Sequence, residues 1–179
     1  GMAYSLANPQ IQKDLINLVG EAFSPSGQLG EVTKAYTTGN LWLATILTFG
    51  VNLVGESFLV LTLPSLVVPF SGLLMGMYRA ILWGLLLAPQ SALALAMIPH
   101  SLTLILEGQG YILTLLGAYT VGKGLFWPGV YGVQGHWRGY LAGVGRCARL
   151  YVLVILVLAV AALYEALELI LIVAPLAGR

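Results

Sequence analysis

The sequence predicts an all-α protein, a polytopic transmembrane helix bundle of about five spans with broken or re-entrant helices. Three observations carry that expectation. Only 8% of the 179 residues are charged, against roughly 25% in a soluble domain, so the chain cannot cover itself with a wettable shell. Hydrophobic residues make up 59% and the mean hydropathy is +0.90, which puts most of the surface in a non-aqueous solvent. Several apolar runs also approach or exceed the ~20 residues that cross a bilayer core as a helix.

The same composition excludes other classes. The eight Lys and Arg residues are scattered against seven Asp and Glu, which offers no band of positive charge for a nucleic acid. Cys147 is the only cysteine, so neither an intrachain disulfide nor a cysteine metal cage can form. No cofactor is expected. Gly1 to Tyr4 lack the basic region and short apolar core of a secretory leader, and Gly1 ahead of Met2 reads as a residue left by tag cleavage.

Residues 1–39 read as an N-terminal interfacial helix and loop, and 40–179 as a single transmembrane helical domain. In Asn8 to Phe23, Ile11, Leu15, Leu18 and Val19 share a helical face from which Lys13, Asp14 and Glu21 are excluded. That pattern suits either a helix in the membrane interface or one packed on the end of the bundle. Ser24 to Gly39 is a connection that turns helical around Glu31 to Tyr36.

The first span is predicted from about Leu41 to Leu63. Asn52 and Glu56 lie four apart and so on one face, which lipid would penalise unless it turns into the bundle. Pro64 and Pro69 then interrupt an apolar run and favour a broken or re-entrant segment. Gly72 and Gly76 form a small-x-x-x-small pair where another helix can approach closely. The second span runs from about Phe70 to Leu87. Its Arg79 either snorkels or pairs with a buried carboxylate such as Glu56 or Glu107.

Ala88 to Trp127 would be about 60 Å long if wholly helical, so it is expected to hold two crossings, or one crossing and a half-helix. Pro99-His100 and Glu107-Gly108-Gln109-Gly110 are the predicted interruptions. If the chain is helical beyond Pro99, His100, Thr103 and Glu107 fall on one stripe, with Gln109 and Tyr111 just beyond. An imidazole and a carboxylate in such a place form a register-fixing polar network, handle a proton or cation, or support catalysis. Whether they bind a metal is unknown from the sequence. Gly122-Lys123-Gly124 lacks the lead and hydroxyl of a phosphate loop, and Phe126-Trp127-Pro128 resembles an interface belt with a helix stop.

From Gly129 to Arg149 the chain carries His136, Arg138, Arg146 and Arg149. Gly135, Gly139 and Gly143, four apart, would give a helix there one smooth side. Its basic charge assigns this loop to the cytoplasmic side of a prokaryotic cytoplasmic membrane. The last span, about Leu150 to Pro175, holds Glu165, deep enough to need a buried partner, and Glu168, expected nearer to polar surroundings.

Pro99-His100 followed by Glu107, set in apolar helices, resembles the proline-histidine and acidic signature of membrane proteins related to stage II sporulation protein M. The segment with Asn52, Leu63-Pro64-Ser65 and Pro69-Phe70-Ser71-Gly72 is similar to the earlier spans of that family, and Glu165 resembles its late acidic residue. The likeness covers roughly residues 41–172. Ser101 stands where many members have glycine, and Glu107 comes seven residues after the histidine, the mark of a divergent branch. The resemblance implies a compact multi-span bundle with polar residues at its core. From the founding member it implies a non-enzymatic membrane component that positions peptidoglycan-remodelling partners.

The expected function is thus an integral membrane scaffold or assembly subunit in contact with lipids and with other membrane proteins or copies of itself. In it Asn52, Glu56, Arg79, His100, Glu107, Gln109 and Glu165 form a polar core. The alternative is a small transporter, channel or permease subunit using the intramembrane acids and histidine. An intramembrane metal enzyme ranks third, because a catalytic zinc asks for three protein ligands and an open position.

Overall fold

Backbone amides in hydrocarbon have no water to bond to, so a spanning segment must satisfy them internally, and a helix does this within one stretch of chain. The computed structural model describes residues 1–89 and 93–177, and all its regular structure there is helical. Three short helices come first: α1 (Met2–Ala7), α2 (Pro9–Ala22) and α3 (Gly30–Thr37). Four longer ones follow: α4 (Leu41–Val67), α5 (Ser71–Leu86), α6 (Leu93–Phe126) and α7 (His136–Val173).

α4, the Met97–Phe126 part of α6, and α7 are each long and apolar enough to cross a membrane. α5 is apolar too, but its 16 residues reach only about 24 Å, short of the ~30 Å hydrocarbon core. The chain therefore has the helices of a membrane protein, three of spanning length and one shorter. It divides into two compact units, one of Gly1–Phe49, Tyr78–Ile105 and Ala161–Arg179, the other of Gly50–Met77 and Leu106–Val160.

The first unit has a core of fully buried Ala35, Ala44 and Ala166, against which Tyr36, Leu41, Leu47 and Ile170 pack. Small residues let α3, α4 and α7 approach closely, and the Tyr36 and Thr48 hydroxyls join at 2.8 Å. Here the N-terminal segment shows its attachment. Buried Gln12 donates from Nε2 to the carbonyls of Leu86 (2.8 Å) and Ala88 (2.7 Å), and Ser5 Oγ donates to Leu85 O at 2.8 Å. The last carbonyls of a helix have no partner within it, and these side chains supply donors to them. α2 is thus tied to the end of α5 through Gln12, while Ile16 and Leu18 stay exposed.

Gln12→Ala should accordingly lower the midpoint of thermal unfolding in detergent, because a buried and a part-buried carbonyl lose their donor, at a cost of about 1–3 kcal/mol. Gln10→Ala removes only an exposed bond to Asp14 and should shift the midpoint far less, by no more than about 0.5 kcal/mol. Equal shifts would show that Gln12 does not hold the segment in place.

In the second unit, α4 is π-wound from Val51 to Thr62 and regains an α-helical turn at Leu63–Val67. Pro64 lies in the first turn of that stretch, where a missing N–H is tolerated, so the helix does not break there as the proline suggested. The break comes at Val68–Phe70, at Pro69, the second of the two prolines expected to interrupt the run, where Phe70 takes a positive φ of 68°, a conformation uncommon for an aromatic residue. Its ring lies over Gly122 and stacks at 5.9 Å on Phe126, contacts that hold the turn.

α6 is continuous through Pro99 and through Glu107-Gly108-Gln109-Gly110, a correction to the interruptions expected at both places. Gly110 instead receives Leu158, whose side chain occupies the space a Cβ would need. Residues 90–92 of the predicted Ala88 to Trp127 stretch lie outside the described residues. Antiparallel packing of the end of α6 on the start of α7 is closer still: a Cβ on Gly139 would run into the Gly124 carbonyl oxygen, and one on Gly143 would lie 2.5 Å from Thr120 O. Gly135 does not belong to this packing surface. It precedes α7 with φ of 89° and has nothing within 4 Å of its Cβ position, so it serves the turn. Gly72 faces the Leu61 carbonyl and Ser65 Oγ, while Gly76 receives Leu115.

Candidate functional site

Each unit holds a buried carboxylate with a hydrogen-bonded partner. In the first, Glu168 is 1% exposed, deep enough that an unsatisfied carboxylate would cost several kcal/mol. Both oxygens are engaged. Thr103 Oγ1 donates to Oε2 at 2.6 Å, and His100 Nδ1 lies 2.7 Å from Oε1. His100 and Thr103 sit three apart on α6, and Tyr164 and Glu168 four apart on α7, so each pair shares a helix face. Tyr164 Oη donates to the Pro99 carbonyl at 3.2 Å.

The His100–Glu168 contact holds one proton between two groups. With the carboxylate ionised, Nδ1–H donates to it; with the carboxyl protonated, its O–H donates to a neutral ring. His100 keeps 18% of its side-chain surface exposed whereas Glu168 has none. Among the described residues, the ring is thus the more exposed side of this pair.

In the second unit Asn52 Nδ2 donates to Glu107 Oε1 in a short hydrogen bond between the π-wound part of α4 and α6. Asn52 is 8% and Glu107 7% exposed. A second link joins α4 to α7, where Tyr151 Oη donates to the Ser57 carbonyl at 3.0 Å and meets Thr62 Oγ1 at 2.6 Å. π-winding displaces carbonyls from the regular ladder, and the Ser57 carbonyl takes its side-chain donor inside that stretch.

The imidazole's acid partner is therefore Glu168, rather than Glu107 as the seven-residue spacing suggested. Glu168, expected in polar surroundings, is the more deeply buried of the last two acids, and Glu165 is only partly buried. Arg79 places its guanidinium 5.7 Å from the centre of the Trp83 ring. Glu56 is partly buried on the π-wound stretch, and Gln109 is exposed. Sequence reading passed over Tyr164, Thr62 and Tyr151, because an isolated hydroxyl in an apolar helix gives no hint of its partner. Among the described residues no group of three or more His, Cys, Asp and Glu is placed to hold a metal ion. Comparison with known protein families, with curated proteins and with solved structures gives no match.

Proposed function

We propose that the protein is a non-enzymatic integral membrane scaffold or assembly subunit whose buried acids fix helix register. The observation that carries this reading is Glu168, fully buried with both oxygens bonded to side chains of another helix. A carboxylate saturated in this way specifies one alignment of two helices. The Asn52–Glu107 bond has the same character. The resemblance to stage II sporulation protein M relatives points the same way, towards a component that positions partners in the membrane.

The finer topology belongs to this reading. It takes α4, α6 and α7 as full traverses and the shorter α5 as a re-entrant segment, fewer than the five spans expected from hydrophobic lengths. It places residues 129–149 on the cytoplasmic side of a prokaryotic cytoplasmic membrane by their basic charge. Partners are other membrane proteins or copies of the chain.

A transporter or channel subunit is the second reading, favoured by the partly exposed ring of His100 on a buried acid, an arrangement that could accept a proton. One experiment separates the two. Liposomes containing the purified protein and a pH-sensitive dye should dissipate an imposed proton gradient no faster than empty liposomes. A faster decay that Glu168→Gln abolishes would overturn the scaffold reading in favour of the second.

A further inference from the structure

Four of the chain's eight basic residues, Lys123, Arg138, Arg146 and Arg149, fall between positions 123 and 149, and no acidic residue lies between Gly108 and Tyr164. All four belong to the second unit, at the end of the α6–α7 hairpin. That end is tightly built. Thr120 Oγ1 donates to Gly143 O at 3.2 Å, Tyr131 Oη donates to Thr120 O at 2.9 Å, and the His136 ring donates from Nδ1 to Leu125 O at 2.7 Å. The cations are thus carried on a rigid support rather than on a loose loop.

Helix length sets their level in the membrane. α7 has 38 residues, about 57 Å, so it must emerge from a ~30 Å hydrocarbon core. From Leu150 to Tyr164 no residue is charged, which assigns that part to the core and leaves Arg146 and Arg149 at its edge, the level of lipid phosphates. Trp127 and Trp137, both more than half exposed, supply amphipathic rings of the kind that favour the interface.

Arg146 is prepared for an anion. Its guanidinium lies 3.7 Å from the centre of the Tyr131 ring and donates one bond, from Nη1 to Ala142 O at 3.3 Å. Contact with the ring restrains the guanidinium of an exposed residue, and a guanidinium's five N–H donors exceed the one bond it makes here. Burial pushes the Tyr131 phenol above its ordinary pKa, with Arg146 opposing that shift, so the ring is neutral at physiological pH and adds no repulsion. Arg138 and Arg149 make no hydrogen bond or ion pair with described residues and are exposed. We propose that this end of the α6–α7 hairpin, centred on Arg146 and Arg149, is a docking surface for the headgroup phosphates of anionic phospholipids.

The test uses the whole protein in nanodiscs of phosphatidylcholine with a minority of phosphatidylglycerol, extracted into mild non-ionic detergent, with retained lipids counted by native mass spectrometry. Phosphatidylglycerol should be enriched over its bulk share. The enrichment should fall about five-fold for each cation removed, as in Arg149→Gln, and about twenty-five-fold in Arg146→Gln/Arg149→Gln. Arg149→Gln alone decides the matter if the double variant fails to fold. Lys13→Gln/Lys34→Gln removes two exposed cations from the first unit and should leave the enrichment unchanged, as should added glycerophosphate. Retained lipid of bulk composition would overturn the proposal, the outcome expected if an acidic protein face were the occupant. Equal losses in the two double variants would overturn it as well.

Discussion

Glu168→Ala should destabilise the protein by about 2–4 kcal/mol, the largest loss expected from any single side chain in the first unit. Removing one partner of a buried charged pair costs about 3–5 kcal/mol in soluble proteins. Interhelical hydrogen bonds within membranes average only about 0.6 kcal/mol, because the unfolded chain also finds partners there. Glu168 stands between these limits: it is fully buried and bonded through both oxygens, so its loss strands the Thr103 hydroxyl and the His100 ring together. Glu168→Gln keeps one acceptor and one donor and should cost about 1 kcal/mol. Unfolding in mixed micelles against increasing denaturing detergent measures both. A double-mutant cycle with Thr103→Val should return a coupling above about 0.5 kcal/mol. If alanine and glutamine cost the same, the hydrogen bonds do not hold these helices.

Two glycine-to-alanine changes on α7 should move stability in opposite directions. At Gly139 the added methyl meets the Gly124 carbonyl oxygen and Pro128 Cβ, backbone and ring atoms that cannot turn aside, and overpacking of this kind costs about 1–3 kcal/mol. At Gly145 nothing lies within 4 Å and the site is exposed, so alanine should gain up to about 1 kcal/mol through helix propensity. The same unfolding assay reads both signs. A loss at both positions would mean that close approach of α6 and α7 is not what Gly139 provides.

Much of this architecture is legible without coordinates. Charge scarcity and long apolar runs announce membrane helices, and the helical turn around Glu31 to Tyr36 appears as α3. The breaks were harder. Proline and glycine are helix breakers in water, yet Pro64 and Pro99 stay inside helices. Hydrocarbon offers an interrupted backbone nothing to bond to, which favours carrying the helix on through the proline. Gly110 likewise admits Leu158 instead of ending a helix.

The sequence by itself determined that this is an all-helical membrane chain, that its intramembrane acids and His100 need partners, and that four of its eight basic residues fall between 123 and 149. These follow from transfer free energies, which depend on residue type and run length alone. Only the tertiary structure decided which groups meet: His100 with Glu168 across sixty-eight positions, Asn52 with Glu107 across fifty-five, and Gln12 with the end of α5. Spacing along one helix tells which residues share a face. The rotation and depth of the facing helix, set by where glycine and alanine allow close approach, select the partner.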